Sequence, residues 1–237
     1  MARAAKLFGC KATIVVPEDV IPTKREAIER DGAEIVVAGL TSDVRLTTAE
    51  RIASETGATF VHAYDNPWIV AGQGTVGKEM LEDAPHLDLI LVPVGGGGLV
   101  SGIALWAKAR NPRIKVIGVE PDTADSMRQS LAAGHPETIP PSNSIADGLR
   151  PVSPGHIPYQ ICAALLDGVI TVTDGEIAEA VRFLLARAKV LVEPSGAAAL
   201  AAVLHGKVDT PATTVGVVLT GGNADFGVLA RILQGEL

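Results

Sequence analysis

Leu89-Ile90-Leu91-Val92-Pro93-Val94-Gly95-Gly96-Gly97-Gly98-Leu99-Val100-Ser101-Gly102 is the stretch on which the fold turns. From Leu89 to Ala107 the chain carries no charge, which is long enough to raise the question of a membrane span. Pro93 and four consecutive glycines in the middle break such a helix. What is left is a short aliphatic run, a turn, and a second apolar run at helical spacing: a buried strand, a glycine loop and a helix. A strand that is apolar at every position is covered on both faces, as strands of parallel sheets are.

The same alternation extends in both directions. Upstream, Ala12 to Val16 reads as a strand, Pro22 to Asp31 as a helix ending before Gly32, and Glu34 to Val37 as a strand. Asp43 to Thr56 then reads as a helix closed by Gly57, Thr59 to Val61 as a third strand, and Val70 to Leu81 as a helix. Downstream of the glycines the spacing predicts a helix over Leu99 to Ala109, a strand over Lys115 to Glu120 and a helix over Asp125 to Ala133. Gly134 to Ser144, rich in Pro, Ser and Asn, reads as a loop. Ile157 to Leu166 is helical and Val169 to Val172 a strand, after which Thr173-x-x-Glu176 forms a capping box that opens another helix. Glu193 to His205 is a helix with Pro194 in its first turn, Thr214 to Leu219 a last strand and Asp225 to Leu233 a last helix. The expected fold is α/β, with open, mostly parallel sheets and helices on both faces. A composition break at Tyr64 to Pro67 divides it into a small α/β domain, residues 1–66, and a larger one, residues 67–237.

The 237 residues are 47% hydrophobic and 20% charged, which excludes a largely disordered chain. A net charge of −7 supplies no positive field for nucleic acid or an anionic membrane, so a small-molecule partner is expected. Cys10 and Cys162 lie far apart without metal-ligand spacing, which suits a reducing cytoplasm, and Lys6 and Lys11 interrupt any secretory h-region.

Glycines between a buried strand and a helix let several backbone N–H groups converge at the positive end of that helix, an arrangement suited to a phosphate dianion. Two glycines suffice for a tight turn with close packing; four in a row exceed it. Two nucleotide motifs nearly fit. Gly96-x-Gly98-x-x-Ser101, with Glu120 at the end of the next strand, resembles a dinucleotide fingerprint but has Ser in place of the third glycine. A dehydrogenase using it would bind NAD. Gly72-Gln73-Gly74-Thr75-Val76-Gly77-Lys78 has Walker A spacing, yet Glu79 stands where a Mg²⁺-binding hydroxyl is needed, so the match is read as coincidence. A second glycine loop, Thr220-Gly221-Gly222-Asn223, follows the last strand and offers one hydroxyl able to meet a ring nitrogen, or else merely bonds its own turn.

Five motifs in order resemble the fold-type II pyridoxal-phosphate enzymes, the tryptophan synthase β-like fold, and within them the threonine dehydratase and serine racemase branch. They are Ala71-Gly72-Gln73-Gly74-Thr75, Pro93 to Leu99, Ile145-Ala146-Asp147-Gly148, Glu193-Pro194-Ser195-Gly196-Ala197 and Thr220-Gly221-Gly222-Asn223. The resemblance implies that Gly95, Gly96, Gly97 and Gly98, with the Leu99 amide, hold the phosphate of pyridoxal 5'-phosphate. Thr220 would meet the pyridine nitrogen, and its neutral hydroxyl suits elimination at the β-carbon. The implied reaction deaminates L-threonine or L-serine to a 2-oxo acid and ammonia, with serine racemase, hydroxyaspartate dehydratase and a non-catalytic phosphate-ligand binder as alternatives. A homodimer is implied for a complete chain.

The front of the sequence departs from that pattern. The family's Schiff-base lysine lies in Ser-x-Lys-x-Arg, followed by a Ser-x-Gly-Asn-His loop, and neither occurs here: no Ser has Lys two residues on, and no Asn precedes His. No catalytic residue is therefore assigned, and the chain is expected to be an N-terminally incomplete, inactive part of the enzyme. A divalent cation is implied by relatives of the racemase branch at Glu120 and the Ala124 carbonyl, but Ser126 replaces the expected Asp.

Overall fold

The computed structural model of the protein describes residues 1–39 and 42–237, with side chains for all of these except 42 and 43. It falls into two compact units, Met1–His62 and Ala63–Leu237. The first holds α1 (Ala2–Leu7), β1 (Thr13–Val16), α2 (Pro22–Arg30), β2 (Glu34–Val37) and α3 (Ser42–Thr56). β1 and β2 pair in parallel from Thr13 opposite Glu34 to Val16 opposite Val37, joined by α2 as a βαβ unit. The strand expected at Thr59 to Val61 does not form: the segment pairs with no neighbour among the described residues, and a run of three residues with β propensity makes no strand without a ladder to join.

The second unit contains α4 (Pro67–Asp83), β3 (Leu89–Pro93), α5 (Gly98–Arg110), β4 (Lys115–Pro121), α6 (Ser126–Ala133), α7 (His156–Leu165), β5 (Gly168–Val172), α8 (Asp174–Phe183), α9 (Pro194–Leu204), β6 (Val215–Val217) and α10 (Phe226–Gln234). A 3₁₀ turn at Asp147–Leu149 and a π-turn at Leu184–Ala188 complete it. The sheet order is β5-β4-β3-β6, with every neighbouring pair parallel. β3 is the central strand of the glycine motif, and its side chains alternate between two cores. Leu89 and Leu91 pack with α8, α9 and α10, whereas Ile90 and Val92 pack with α4, α5 and α7. All five residues of β3 are buried, which is the two-sided cover its apolar sequence demands.

Local chemistry sets the element ends. α4 begins at Pro67, three residues before the apolar periodicity, because the Asn66 Oδ1 accepts from Trp68 N (2.9 Å) and Ile69 N (3.3 Å). The capping box at α8 is formed in full: Thr173 Oγ1 accepts from Glu176 N, and Glu176 Oε2 accepts from Thr173 N. Gly72 to Lys78, with its Walker A spacing, lies inside α4 and forms no loop. Two of its glycines serve a helix crossing. A Cβ on Gly74 or Gly77 would come within 3.1 Å of a backbone oxygen of α5, and one on Gly102 of α5 would lie 2.4 Å from Val70 O.

Candidate cofactor site

The chain leaves β3 through α5 to reach β4 on one side, while β6 lies against β3 on the other. The loops that follow β3 and β6 therefore leave the same carboxyl edge in opposite directions. This is the topological switch point at which open α/β sheets bind ligands. Val218 N donates to Leu91 O (3.0 Å) and continues the register, so the tetraglycine loop and the Thr220 loop stand side by side.

Gly97 is the N-cap of α5 with φ +91°, a left-handed backbone that glycine adopts without strain. Ser101 N closes the first turn onto Gly97 O (3.0 Å). The N–H groups of Gly95, Gly96, Gly97, Gly98 and Leu99 meet no acceptor among the described residues, although Gly96, Gly97 and Gly98 are buried. Buried amides are almost always paired, so this cluster at a helix N-terminus fits an anionic oxygen acceptor from outside the chain. Packing, however, also needs each glycine. A Cβ on Gly95 would come within 3.0 Å of Gly148 O, on Gly96 within 2.3 Å of the Tyr64 ring, on Gly97 within 2.6 Å of Met127 Cε, and on Gly98 within 3.0 Å of Tyr64 Cβ. The count of glycines, which by itself suggests a ligand, is thus explained by close neighbours; the unpaired amides carry the anion argument.

Thr220 is exposed at the neighbouring loop, with its Oγ1 close to the start of α9, 3.0 Å from where a Cβ on Gly196 would lie. Glu193 N donates to Gly221 O (2.9 Å), which ties this loop to the α9 N-terminus. Asn223 is exposed, and Asn66 acts as the cap of α4.

The residues expected at a cation site are used differently. Glu120 is fully buried, and its two oxygens accept from Met127 N and Arg128 N at 2.9 Å each, so the carboxyl caps α6. Burial outweighs these hydrogen bonds and pushes its pKa up to about 8, with Asp125 adding repulsion. Ser126 Oγ donates to Pro151 O (3.4 Å), and Asp125 binds the side chains of Arg128 and Gln129. Among the described residues no three His, Cys, Asp or Glu side chains gather to hold a metal. One carboxyl that is already doubly bonded, one carbonyl and one engaged hydroxyl do not fit a hard divalent cation. Through Met127 on Gly97, α6 instead braces the glycine loop.

The five lysines of this unit are occupied elsewhere. Lys78 pairs with Glu82 on the exposed side of α4, and Lys189 Nζ donates to Ala186 O. Lys207 meets Glu176 and Thr171 O, while Lys108 and Lys115 hold Asp167 at the amino edge of the sheet.

A doubly covered parallel sheet with a cluster of unpaired amides and a hydroxyl at its switch point is the architecture of an α/β unit suited to a phosphorylated ligand. The chain belongs to the pyridoxal-phosphate dependent enzyme family, whose profile matches residues 1–221, and within it to the fold-type II branch of threonine ammonia-lyases and serine racemases. It is 40% identical to the L-threonine ammonia-lyase of Thermotoga maritima over 99% of its own length and 58% of that protein's. It is 42% identical to the serine racemase of Oryza sativa subsp. indica over 97% of its length and 69% of that protein's. The structure of maize serine racemase superposes with a TM-score of 0.92 at 40% identity, covering 99% of this chain and 73% of that one. Among the described residues no helix is long and apolar enough to cross a membrane.

Proposed function

We propose that this chain holds the cofactor in a pyridoxal-phosphate-dependent ammonia-lyase that converts L-threonine or L-serine to a 2-oxo acid and ammonia. The observation that carries the proposal is the set of unpaired amides from Gly95 to Leu99 beside the Thr220 hydroxyl at the β3/β6 switch point. When bound, pyridoxal 5'-phosphate supplies the electron sink that acidifies the substrate α-carbon. The loop amides and the α5 N-terminus would bind its phosphate. The Thr220 hydroxyl, uncharged, would meet the ring nitrogen without forcing its protonation, which favours loss of a β-hydroxyl over prolonged charge storage. The pairings of Lys78, Lys108, Lys115, Lys189 and Lys207 leave none of them assigned to the α-proton, and no Ser-x-Lys-x-Arg motif occurs in the chain.

The test has two parts. Pyridoxal 5'-phosphate and inorganic phosphate are titrated into the 237-residue chain, with competition between them expected. Then 2-oxo acid is measured from L-threonine and L-serine, for the chain alone and for the chain preceded by a segment carrying Ser-x-Lys-x-Arg. The expected pattern is no turnover by the first and oxo acid from the second. Conversion of L-serine to D-serine without oxo acid would move the assignment to a racemase, as the comparable identity to serine racemases allows. Absence of both products from the extended chain would leave a phosphate-ligand binder.

A further inference from the structure

Tyr64, Asp65 and Asn66 are three consecutive residues whose side chains reach three different elements around the glycine loop. The Tyr64 ring lies flat on the loop: Cγ, Cδ1 and Cδ2 are 2.3, 2.4 and 2.4 Å from the point where a Cβ on Gly96 would stand. Its Cβ, Cα and carbonyl oxygen line Gly98 in the same way at 3.0 to 3.2 Å. The Tyr64 hydroxyl donates to Ser153 O at 3.4 Å, a long bond. Asp65 accepts from His156 N and Ile157 N at 2.9 Å each and so caps α7, and the residues at that helix start lean on the loop. Gly155 N donates to Gly96 O (3.0 Å), and Pro158 Cβ lies 2.9 Å from the Cβ position of Gly97. Asn66 caps α4, the helix whose glycines cross α5 just beyond the loop.

We infer that Tyr64 is a positioning residue of the anion cradle: its ring, lying on Gly96, and its Cβ and backbone, set against Gly98, hold the loop amides ready for a phosphate, while Asp65 and Asn66 fix α7 and α4 on either side. The inference rests on the cofactor-holding reading above and adds the residue that preorganises it. The physical argument is conformational. A run of four glycines has more backbone freedom than any other tetrapeptide, and amides that must converge on one anion lose that freedom on binding unless something removes it beforehand. A flat ring over Gly96, with the Cβ and backbone of the same residue against Gly98, removes it. The ring does this by contact with the Gly96 backbone, a contact that Tyr64→Phe keeps.

The test uses the full chain with pyridoxal 5'-phosphate and inorganic phosphate as probes. Four proteins are compared: wild type, Tyr64→Leu, Tyr64→Phe, and Leu229→Ala. The last is a core truncation in α10, away from the loop, that lowers stability without touching the cradle. Tyr64→Leu is expected to bind both probes about tenfold more weakly, and Tyr64→Phe to stay within about twofold of wild type. Leu229→Ala is expected to keep wild-type affinity despite a lower melting temperature. Hydrogen exchange of the peptide spanning Val94 to Ser101 gives a readout that needs no ligand: it should quicken in Tyr64→Leu alone. Wild-type affinity and exchange in a folded Tyr64→Leu would overturn the inference while leaving the cofactor reading intact. Tighter binding by Tyr64→Leu would also overturn it, by showing the ring to be a plug. If the wild-type chain binds neither probe, both fall together. Should Tyr64→Leu fail to fold, Tyr64→His keeps a flat ring of smaller area and is expected to fall between Leu and Phe; wild-type binding and exchange in it would count against the ring.

Discussion

The crossing of α4 and α5 makes a sharp prediction about two glycines, one on each helix. Gly102 lies where a Cβ would be 2.4 Å from Val70 O, 2.6 Å from Gly74 N and 2.9 Å from Gln73 C, all backbone atoms that cannot rotate away. Gly72, on the exposed side of α4, has nothing within 4 Å of its Cβ position. Gly102→Ala therefore forces the helices apart by roughly 0.7 Å at the contact, enough to forfeit a large part of the dispersion energy there. Overpacking of this kind costs about 1–3 kcal/mol, against which the better helix propensity of alanine returns about 1 kcal/mol. The net loss, up to about 2 kcal/mol, corresponds for a domain of this size to a fall of up to about 8 °C in Tm. Gly72→Ala keeps the propensity gain without the clash and should raise stability by about 0.5–1 kcal/mol. Urea unfolding of the three proteins, followed by circular dichroism, measures both shifts as changes in midpoint at constant slope. Equal and same-signed shifts for the two alanines would refute the reasoning, since only the contact geometry distinguishes them.

Further outcomes follow from single side chains. Burial pushes the Asp167 carboxyl up, but hydrogen bonds from Lys108 Nζ, Lys115 Nζ and Val116 N outweigh it and hold its pKa below the usual range. A carboxyl whose folded pKa is depressed contributes its full stability above the unfolded value and loses it as pH falls through the lower folded value, so Asp167→Asn should cost about 1–2 kcal/mol at pH 7. That difference should close below roughly pH 4 in a pH series of melting curves. Asn66→Ala removes the acceptor for Trp68 N and Ile69 N and should lower stability by about 1 kcal/mol, with Asn66→Asp retaining it, as denaturant midpoints would show. Thr220→Ser should leave the affinity for pyridoxal 5'-phosphate near that of wild type and Thr220→Val should weaken it by about 5–10-fold, the cost of one lost hydrogen bond. Titration of inorganic phosphate should not separate these two variants.

Much of the architecture was legible because it rests on local rules. The aliphatic run at Leu89 and the glycines after it announce a strand and a helix start within a residue of where they lie, since two-sided burial and a left-handed cap both leave marks in composition. Thr173 and Glu176 mark a helix start through a reciprocal hydrogen bond that depends on spacing alone. Asn66 shows the limit: the helix it caps begins in Pro67-Trp68-Ile69, before the apolar stripe becomes periodic. The β3/β6 pairing is invisible to any local pattern, because the two strands are far apart in the chain and the order of a sheet is set by tertiary packing. The glycine count of the tetraglycine loop reads as an anion site in the sequence, but close neighbours account for that count, and the unpaired amides that support the reading leave no mark in the sequence. Tyr64, which explains Gly96 and Gly98, looked like part of a domain boundary, and nothing in its neighbours along the chain signals a ring laid on a loop thirty residues away. In the sequence Glu120 offers itself as the acid of a dinucleotide fingerprint or, by resemblance, as a cation ligand; its use as the cap of α6 depends on the return of the chain at Met127 and Arg128.

The placement of β6 also bears on how the protein is made. During synthesis the chain runs from Leu89 to Val215 before the partner of β3 on that side exists, so the ribosome delivers β4, β5 and their helices first. Until then one long edge of the central strand stays open, with hydrophobic side chains on both faces and a row of free amides and carbonyls. The second unit therefore completes its folding only after release of nearly its whole length, and during that interval it is exposed to misassociation with other nascent copies. Strand order thus predicts a yield that improves when translation is slowed and temperature lowered.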